Sequence, residues 1–229
     1  SSNCLSPLQK VNSTLSPDSV RRSSPTLNPT DSSLSGNSIV STSVIDCIQA
    51  IAVAGSSIQQ MKEQICDAVG KLLAAERTYL LDVDSASGQM SLTFKDPLTR
   101  SSTTACFPLT KGITGLVASN KKKENIQMAF MHAAFNRECD DRLGSPVSAA
   151  HSVLAYPIMI EGAVIGVLDV VTKISPTEKT PPSWTKDDEA TLQIVMPFVS
   201  AALKNTLSIV MREKMLKVGV SLNSELDSG

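Results

Sequence analysis

Charge of one sign is missing from this chain. Its 21 Lys and Arg residues nearly cancel 22 Asp and Glu, leaving a formal net charge of −1 over 229 residues. No electrostatic field therefore argues for nucleic acid or an anionic membrane surface as partner. Long apolar runs are missing too. No uninterrupted stretch reaches the roughly 18 residues that cross a bilayer, so no membrane span is expected. Histidine is scarce: His132 and His151 stand in neither an HxxxD nor an HExxH pattern, which argues against metal-dependent phosphodiester hydrolysis within this segment. The five cysteines (Cys4, Cys47, Cys66, Cys106 and Cys139) are scattered, odd in number and without a CxxC pair. They read as reduced thiols of a cytoplasmic protein, in preference to disulfides, a zinc site or a redox pair. No catalytic residue, metal or cofactor is expected here. A leading apolar signal segment is also lacking and the first residue is Ser1, so the chain reads as a piece of a longer protein.

What is present falls into three parts. Residues 1–42 are rich in Ser, Thr, Pro and Asn without a sustained apolar period, and such composition predicts a disordered tail. Within it, Arg21-Arg22-Ser23-Ser24-Pro25 is a pattern that a kinase acting on Ser23 or Ser24 could read, or else a solvated linker. Residues 43–210 carry the periodicity of a folded domain, and residues 211–229 that of a helical linker leading into another domain.

Inside the domain, Val44, Ile48, Ile51 and Ala52 share one helix face, and Ile58, Met61, Ile65, Val69, Leu72 and Leu73 share another. Gly55-Ser56-Ser57 separates them, with Ser57 a candidate cap. Residues 77–83 and 90–95 read as a hairpin about a Ser85–Gly88 turn, and a third strand covers 104–108. Residues 112–118 open a short helix with two glycines, and 125–127 is a brief extended piece. Residues 130–150 are irregular with a short helix, the character of a binding loop or lid. Two β-branched runs about Glu161-Gly162 read as a second hairpin. A last helix from about Thr185 has Leu192, Val195, Met196, Val199, Leu203 and Leu207 as its core face. The row continues through Met211, Met215, Val218, Leu222 and Leu226, which implies a partner helix and a homodimer. The sum is an α+β domain.

The succession of the residue 149–160 and 162–173 strands, Thr172-Lys173, a proline-bearing loop, Trp184 and Asp188-Glu189 resembles the end of a GAF domain. Among GAF domains it looks most like those regulating cyclic-nucleotide phosphodiesterases, and the resemblance covers about residues 44–210. It implies a central antiparallel sheet with the N-terminal helix pair and the long C-terminal helix on one face. A ligand pocket with a lid is implied on the other. The family signature is Asn-Lys, a loop, Phe and Asp-Glu. Lys173 and Asp188 match its ion pair, while Thr172 replaces the asparagine, Trp184 replaces the phenylalanine, and Glu189 completes the motif.

The same resemblance implies ligand contacts. Phe94-Lys95 falls where the family has Phe-Asp at the pocket wall, and Ile113-Thr114 matches a turn whose backbone meets the base. Residues 132–141 resemble the closing helix, contributing Phe135, Asn136, Asp140 and Asp141, with helix-start amides that suit a cyclic phosphate. Asp169 holds the position of a family glutamate and is expected to accept from an adenine amino group or a ribose hydroxyl. In any α+β domain Phe94 and Phe135 would equally serve as core, and Asp140-Asp141 as a solvated pair. The function implied is a sensor that binds cAMP, favoured over cGMP, and controls a downstream phosphodiesterase catalytic domain. The alternative is a GAF dimerisation scaffold of an adenylyl cyclase or sensor kinase that binds no nucleotide.

Overall fold

The first apolar periods become two helices. α1 spans Ser33–Ala52 and buries Val44, Cys47 and Ile51. α2 spans Ile58–Leu73, capped by Ser57, whose hydroxyl accepts from the Gln60 amide at 3.2 Å. The strands are β1 (Ala75–Asp84), β2 (Gln89–Lys95), β3 (Ser102–Pro108), β4 (Glu124–Ile126), β5 (Val153–Ile160) and β6 (Ala163–Lys173). Helix α3 (Gly112–Asn120), a 3₁₀ turn at Ala129–Met131 and α4 (Arg137–Asp140) lie between the strands, and α5 runs Lys186–Leu226. This computed structural model describes residues 33–53, 57–95, 102–140, 152–175, 177 and 182–226.

The strands form one antiparallel sheet in the order β3-β2-β1-β6-β5-β4. Both hairpins follow from their turn residues. Asp84 accepts the Ala86 amide and the Ser87 hydroxyl across the first turn. Glu161 and Gly162, both at positive φ (51° and 81°), make the second, a combination that matches the right-handed strand twist. β6 is buried on both faces, and an extra residue, Ile165, shifts its register between the Ile158–Gly166 and Met159–Val164 pairs. After that bulge Leu168 and Val170 face the helical layer, while Val167 and Asp169 face α3.

The main core lies between the sheet and α1, α2 and α5, where Ile51, Ile65, Leu154, Ile158, Leu168 and Leu192 are fully buried. A second core joins the opposite face to Ile113, Val117 and Ala118 of α3. This is the α+β arrangement expected, with helices on one face and the candidate site on the other.

Two expectations need correction. The tail was placed at residues 1–42, yet α1 begins at Ser33. No proline interrupts 33–52, so a helix held by Val44, Cys47 and Ile51 propagates backwards without obstruction. Residues 1–32, including Ser23 and Ser24, lie outside the described residues. Secondly, no segment was expected to be apolar enough for a membrane. Residues 186–216 of α5 have a window of mean hydropathy 1.6, because short polar interruptions are averaged out. Leu192, Val195, Val199 and Leu203 of that window nevertheless form the domain core. Only 28 % of the window is buried, so the helix has apolar surface to spare. Met211 and Met215 are exposed, as is a separate row of Ile194, Phe198, Ile209 and Leu216. Phe198 and Ile209 line a 510 Å³ groove against Ile48 and Ala52 of α1. α5 also continues through Pro197, which interrupts its hydrogen-bond ladder at an exposed position where water can serve the freed carbonyl.

Candidate functional site

Asp169 stands near the middle of the sheet, flanked across the ladder by Tyr79 of β1 and Ala155 of β5. It is 5 % exposed, and its Oδ2 accepts from the Thr114 hydroxyl of α3 at 2.7 Å. Thr114 is itself fully buried. A buried carboxylate is tolerated only where donors meet it, and this bond also fixes α3 over β6. Gly115 seats the helix: a Cβ there would lie 2.5 Å from the Leu109 carbonyl oxygen.

The start of α3 has no side-chain cap of its own from Lys111. Asp140 of α4 supplies one, its two carboxylate oxygens each 3.1 Å from the Ile113 amide. Its approach requires glycine at 112, which has φ +80° and whose absent Cβ would meet Asp140 Oδ1 at 2.8 Å. Asp140 also accepts from the Asn136 amide at 2.8 Å. Asn136 in turn caps α4, its side-chain oxygen accepting from the amides of Glu138 and Cys139. The helix-start amides expected to face a phosphate are thus met from within. Asn136 serves two of them because an Asn at an N-cap reaches its own second and third amides with almost no ordering cost. A 490 Å³ cleft borders this arrangement, lined by Gly112, Gly115, Leu116, Ser119, Phe135 and Asn136. It lies on the outer face of α3, away from the inward Thr114 and Asp169.

Ile113, Thr114, Phe135, Asn136, Asp140 and Asp169 are thereby gathered around α3. Phe94 and Lys95 are not in that group: they pair with Thr103 and Ser102 at the β3 side, and β2 is two strands from β6. Their side chains and Asp141 lie outside the described residues. Among the described residues no group of His, Cys, Asp and Glu is arranged to hold a metal. Burial pushes the Cys47 thiol up to about 11 and Cys66 up to about 12, so both stay protonated and unreactive at neutral pH.

The signature residues join β6 to α5. Lys173 Nζ lies 2.5 Å from Asp188 Oδ2 and 5.9 Å from the ring centre of buried Trp184. Burial works against ionisation of Asp188, but the Lys173 and Thr185 hydrogen bonds together hold its carboxyl below the usual range. Thr172 has φ +54° although it is β-branched and buried, a conformation that asparagine tolerates far better. The backbone thus explains why asparagine belongs in the signature.

Three residues that sequence reasoning passed over complete the junction. Asn125 Nδ2 donates to Glu189 Oε1 at 2.8 Å and to the Trp184 carbonyl at 3.1 Å, and Lys123 Nζ lies 2.9 Å from Glu189 Oε2. Lys186 adds a third donor at 2.9 Å. Asn125, then Lys123 and Lys186, bring the buried Glu189 carboxyl down to about 2. Nothing local marks Lys123 or Asn125, since their partners are some 60 residues away.

A six-stranded antiparallel sheet with helices on one face, an ion pair joining its last strand to α5 and α3 closing the other face define an α+β fold of one recognisable class. The model of the GAF domain family matches residues 57–203, and the chain belongs to that family. Relatives include the Caenorhabditis elegans protein named "Probable 3',5'-cyclic phosphodiesterase pde-5", 30 % identical over 143 residues, covering 58 % of this chain and 18 % of the relative. A Takifugu rubripes dual 3',5'-cyclic-AMP and -GMP phosphodiesterase 11A is 35 % identical over 99 residues, 43 % of this chain and 10 % of its own. The mouse cone cGMP-specific 3',5'-cyclic phosphodiesterase subunit alpha' is 28 % identical over 171 residues, with coverages of 70 % and 19 %. The chain therefore spans less than a fifth of each of these relatives. Among solved structures, the GAF domain of a Coxiella burnetii phosphoenolpyruvate-protein phosphotransferase superposes with TM-score 0.60 at 16 % identity, covering 75 % of this chain and 96 % of that one. That likeness establishes the fold.

Proposed function

We propose that this GAF domain is a regulatory sensor that binds one cyclic nucleotide, cAMP in preference to cGMP, and controls a cytoplasmic phosphodiesterase. The observation that carries the reading is Asp169, a carboxylate buried between the sheet and α3 and held by Thr114 at 2.7 Å. An ionised carboxylate is acceptor-only, so it suits a donor such as the adenine amino group or a ribose hydroxyl. The phosphate would compete with Asn136 for the amides of Glu138 and Cys139, and the base with Asp140 for the Ile113 amide. The relatives supply the downstream catalytic domain in this reading, and the exposed Met211 and Met215 row on α5 supplies a surface for pairing with a second copy.

The alternative, a dimerising scaffold that binds no nucleotide, is favoured by one feature: Asn136 and Asp140 already occupy helix-start amides. Nucleotide binding by the wild-type chain separates the two, and Asp169→Ala then tests the residue. On the sensor reading the folded variant loses about 1–3 kcal/mol of nucleotide affinity, the scale of a lost charged hydrogen bond. A wild-type protein that binds and a variant that binds equally well return Asp169 to a structural role.

A further inference from the structure

The connector leaving α3 reaches α5 directly at one point and, through the β5–β6 turn, at a second. Lys121, the left-handed residue that ends α3, donates from Nζ to the Gly162 carbonyl at 3.1 Å. Its neighbour in that turn, Glu161, accepts from Lys204 of α5 at 2.8 Å. Two residues beyond Lys121, Lys123 Nζ meets Glu189 Oε2 at 2.9 Å and Gln193 Oε1 at 3.4 Å. Asn125 then donates to Glu189 and to the Trp184 carbonyl. Glu189 and Lys204 are about 22 Å apart along the helix at 1.5 Å per residue.

We propose that residues 121–125 form a strap that makes the position of α5 follow the position of α3. α3 cannot shift along the sheet without carrying Lys121 and Lys123 with it. Glu189 is only 5 % exposed and accepts from Lys123 and Asn125 of the strap, so its turn moves with the strap more readily than it gives up those bonds. The two attachment points lie on one continuous helix, on either side of Pro197, so displacement at α3 is converted into tilt or rotation of the Glu189 end of α5. A parallel route exists through Thr114–Asp169 in β6 and then Lys173–Asp188. The strap reaches α5 along the β4 edge of the sheet, without passing through Asp169. Which ligand moves α3 rests on the sensor reading, whereas the mechanical coupling does not.

The test is a double-mutant cycle on the full chain, read as amide hydrogen exchange in residues 186–195. Gly115→Ala displaces α3 without any ligand, because the new methyl meets the Leu109 carbonyl at 2.5 Å. In an otherwise wild-type chain it should speed exchange at 186–195 by roughly three- to tenfold, the range of coupling between neighbouring groups. In a Lys123→Met background that increase should be less than half as large, since Asn125 and the Asp169 route remain, and Lys123→Arg should retain the response. Additive effects, or unchanged exchange in Gly115→Ala, overturn the strap. If circular dichroism shows Gly115→Ala unfolded, Val117→Ala, which removes buried packing beneath α3, provides the displacement with the same readout. In a further arm, cAMP or cGMP that binds by calorimetry and alters exchange at 113–118 of α3 yet leaves 186–195 unaltered also overturns it. Absence of binding heat removes the sensor reading only, and the mutational cycle still decides the strap.

Discussion

Replacing Glu189 by glutamine keeps the side-chain volume and removes the charge that Asn125, Lys123 and Lys186 converge on. A fall from 4.5 to about 2 corresponds to roughly 3 kcal/mol at 1.36 kcal/mol per pH unit. Two donors are open to solvent, Lys186 at 91 % and Lys123 at 39 % side-chain exposure. Screening therefore reduces the expected loss to about 1–2 kcal/mol. For a chain of this size that is a drop in Tm of about 2–8 °C. The sign of the pH dependence follows from the lowered carboxyl: its stabilisation is complete above the ordinary value of 4.5 and is lost as pH falls through about 2. Urea midpoints at pH 7, 4 and 3 should show Glu189→Gln weakest relative to wild type at pH 7, with the gap closing on acidification. Equal stability at pH 7, or a deficit that persists undiminished at low pH, refutes the reasoning.

Thr172→Asn should stabilise the domain by about 0.5–1 kcal/mol, because asparagine relieves part of the left-handed strain that a β-branched residue carries; chemical denaturation checks this, and destabilisation would count against the conformational explanation of the signature. Met215→Ser combined with Leu222→Ser should weaken self-association. Sedimentation velocity should then find the wild-type chain dimeric and the double variant shifted toward monomer, whereas a wild-type monomer at high micromolar concentration makes α5 a tether only.

The two hairpins are legible because their signals are local: Ser85–Gly88 and Glu161-Gly162 announce turns, and β-branched apolar runs mark the strands beside the second. The core rows of α2 and α5 were legible for the same reason, through helical spacing. The start of α1 was missed because its serine-rich first half carries no apolar period and is continued from the packed half. The site was legible only in part. Asp169 stood out as a charge in a buried strand, and it is indeed held inside. The use of Asp140 to cap another helix was invisible, because it depends on bringing residue 140 against residue 113. Lys123 and Asn125 were hidden likewise: a polar turn looks the same whether it meets water or a carboxylate on a distant helix. Thr172 shows the reverse, where the backbone gave a reason for a motif known only as a pattern.

Isothermal calorimetry of the purified chain with cAMP and with cGMP tests the sensor account most directly. The account predicts saturable heat for one nucleotide per chain, tighter for cAMP, with slower proteolysis of the segment following α3 when ligand is present. Tighter binding of cGMP would correct the base preference and keep the sensor. No heat and no thermal shift with either nucleotide at millimolar concentration would contradict the account and leave the dimerising scaffold.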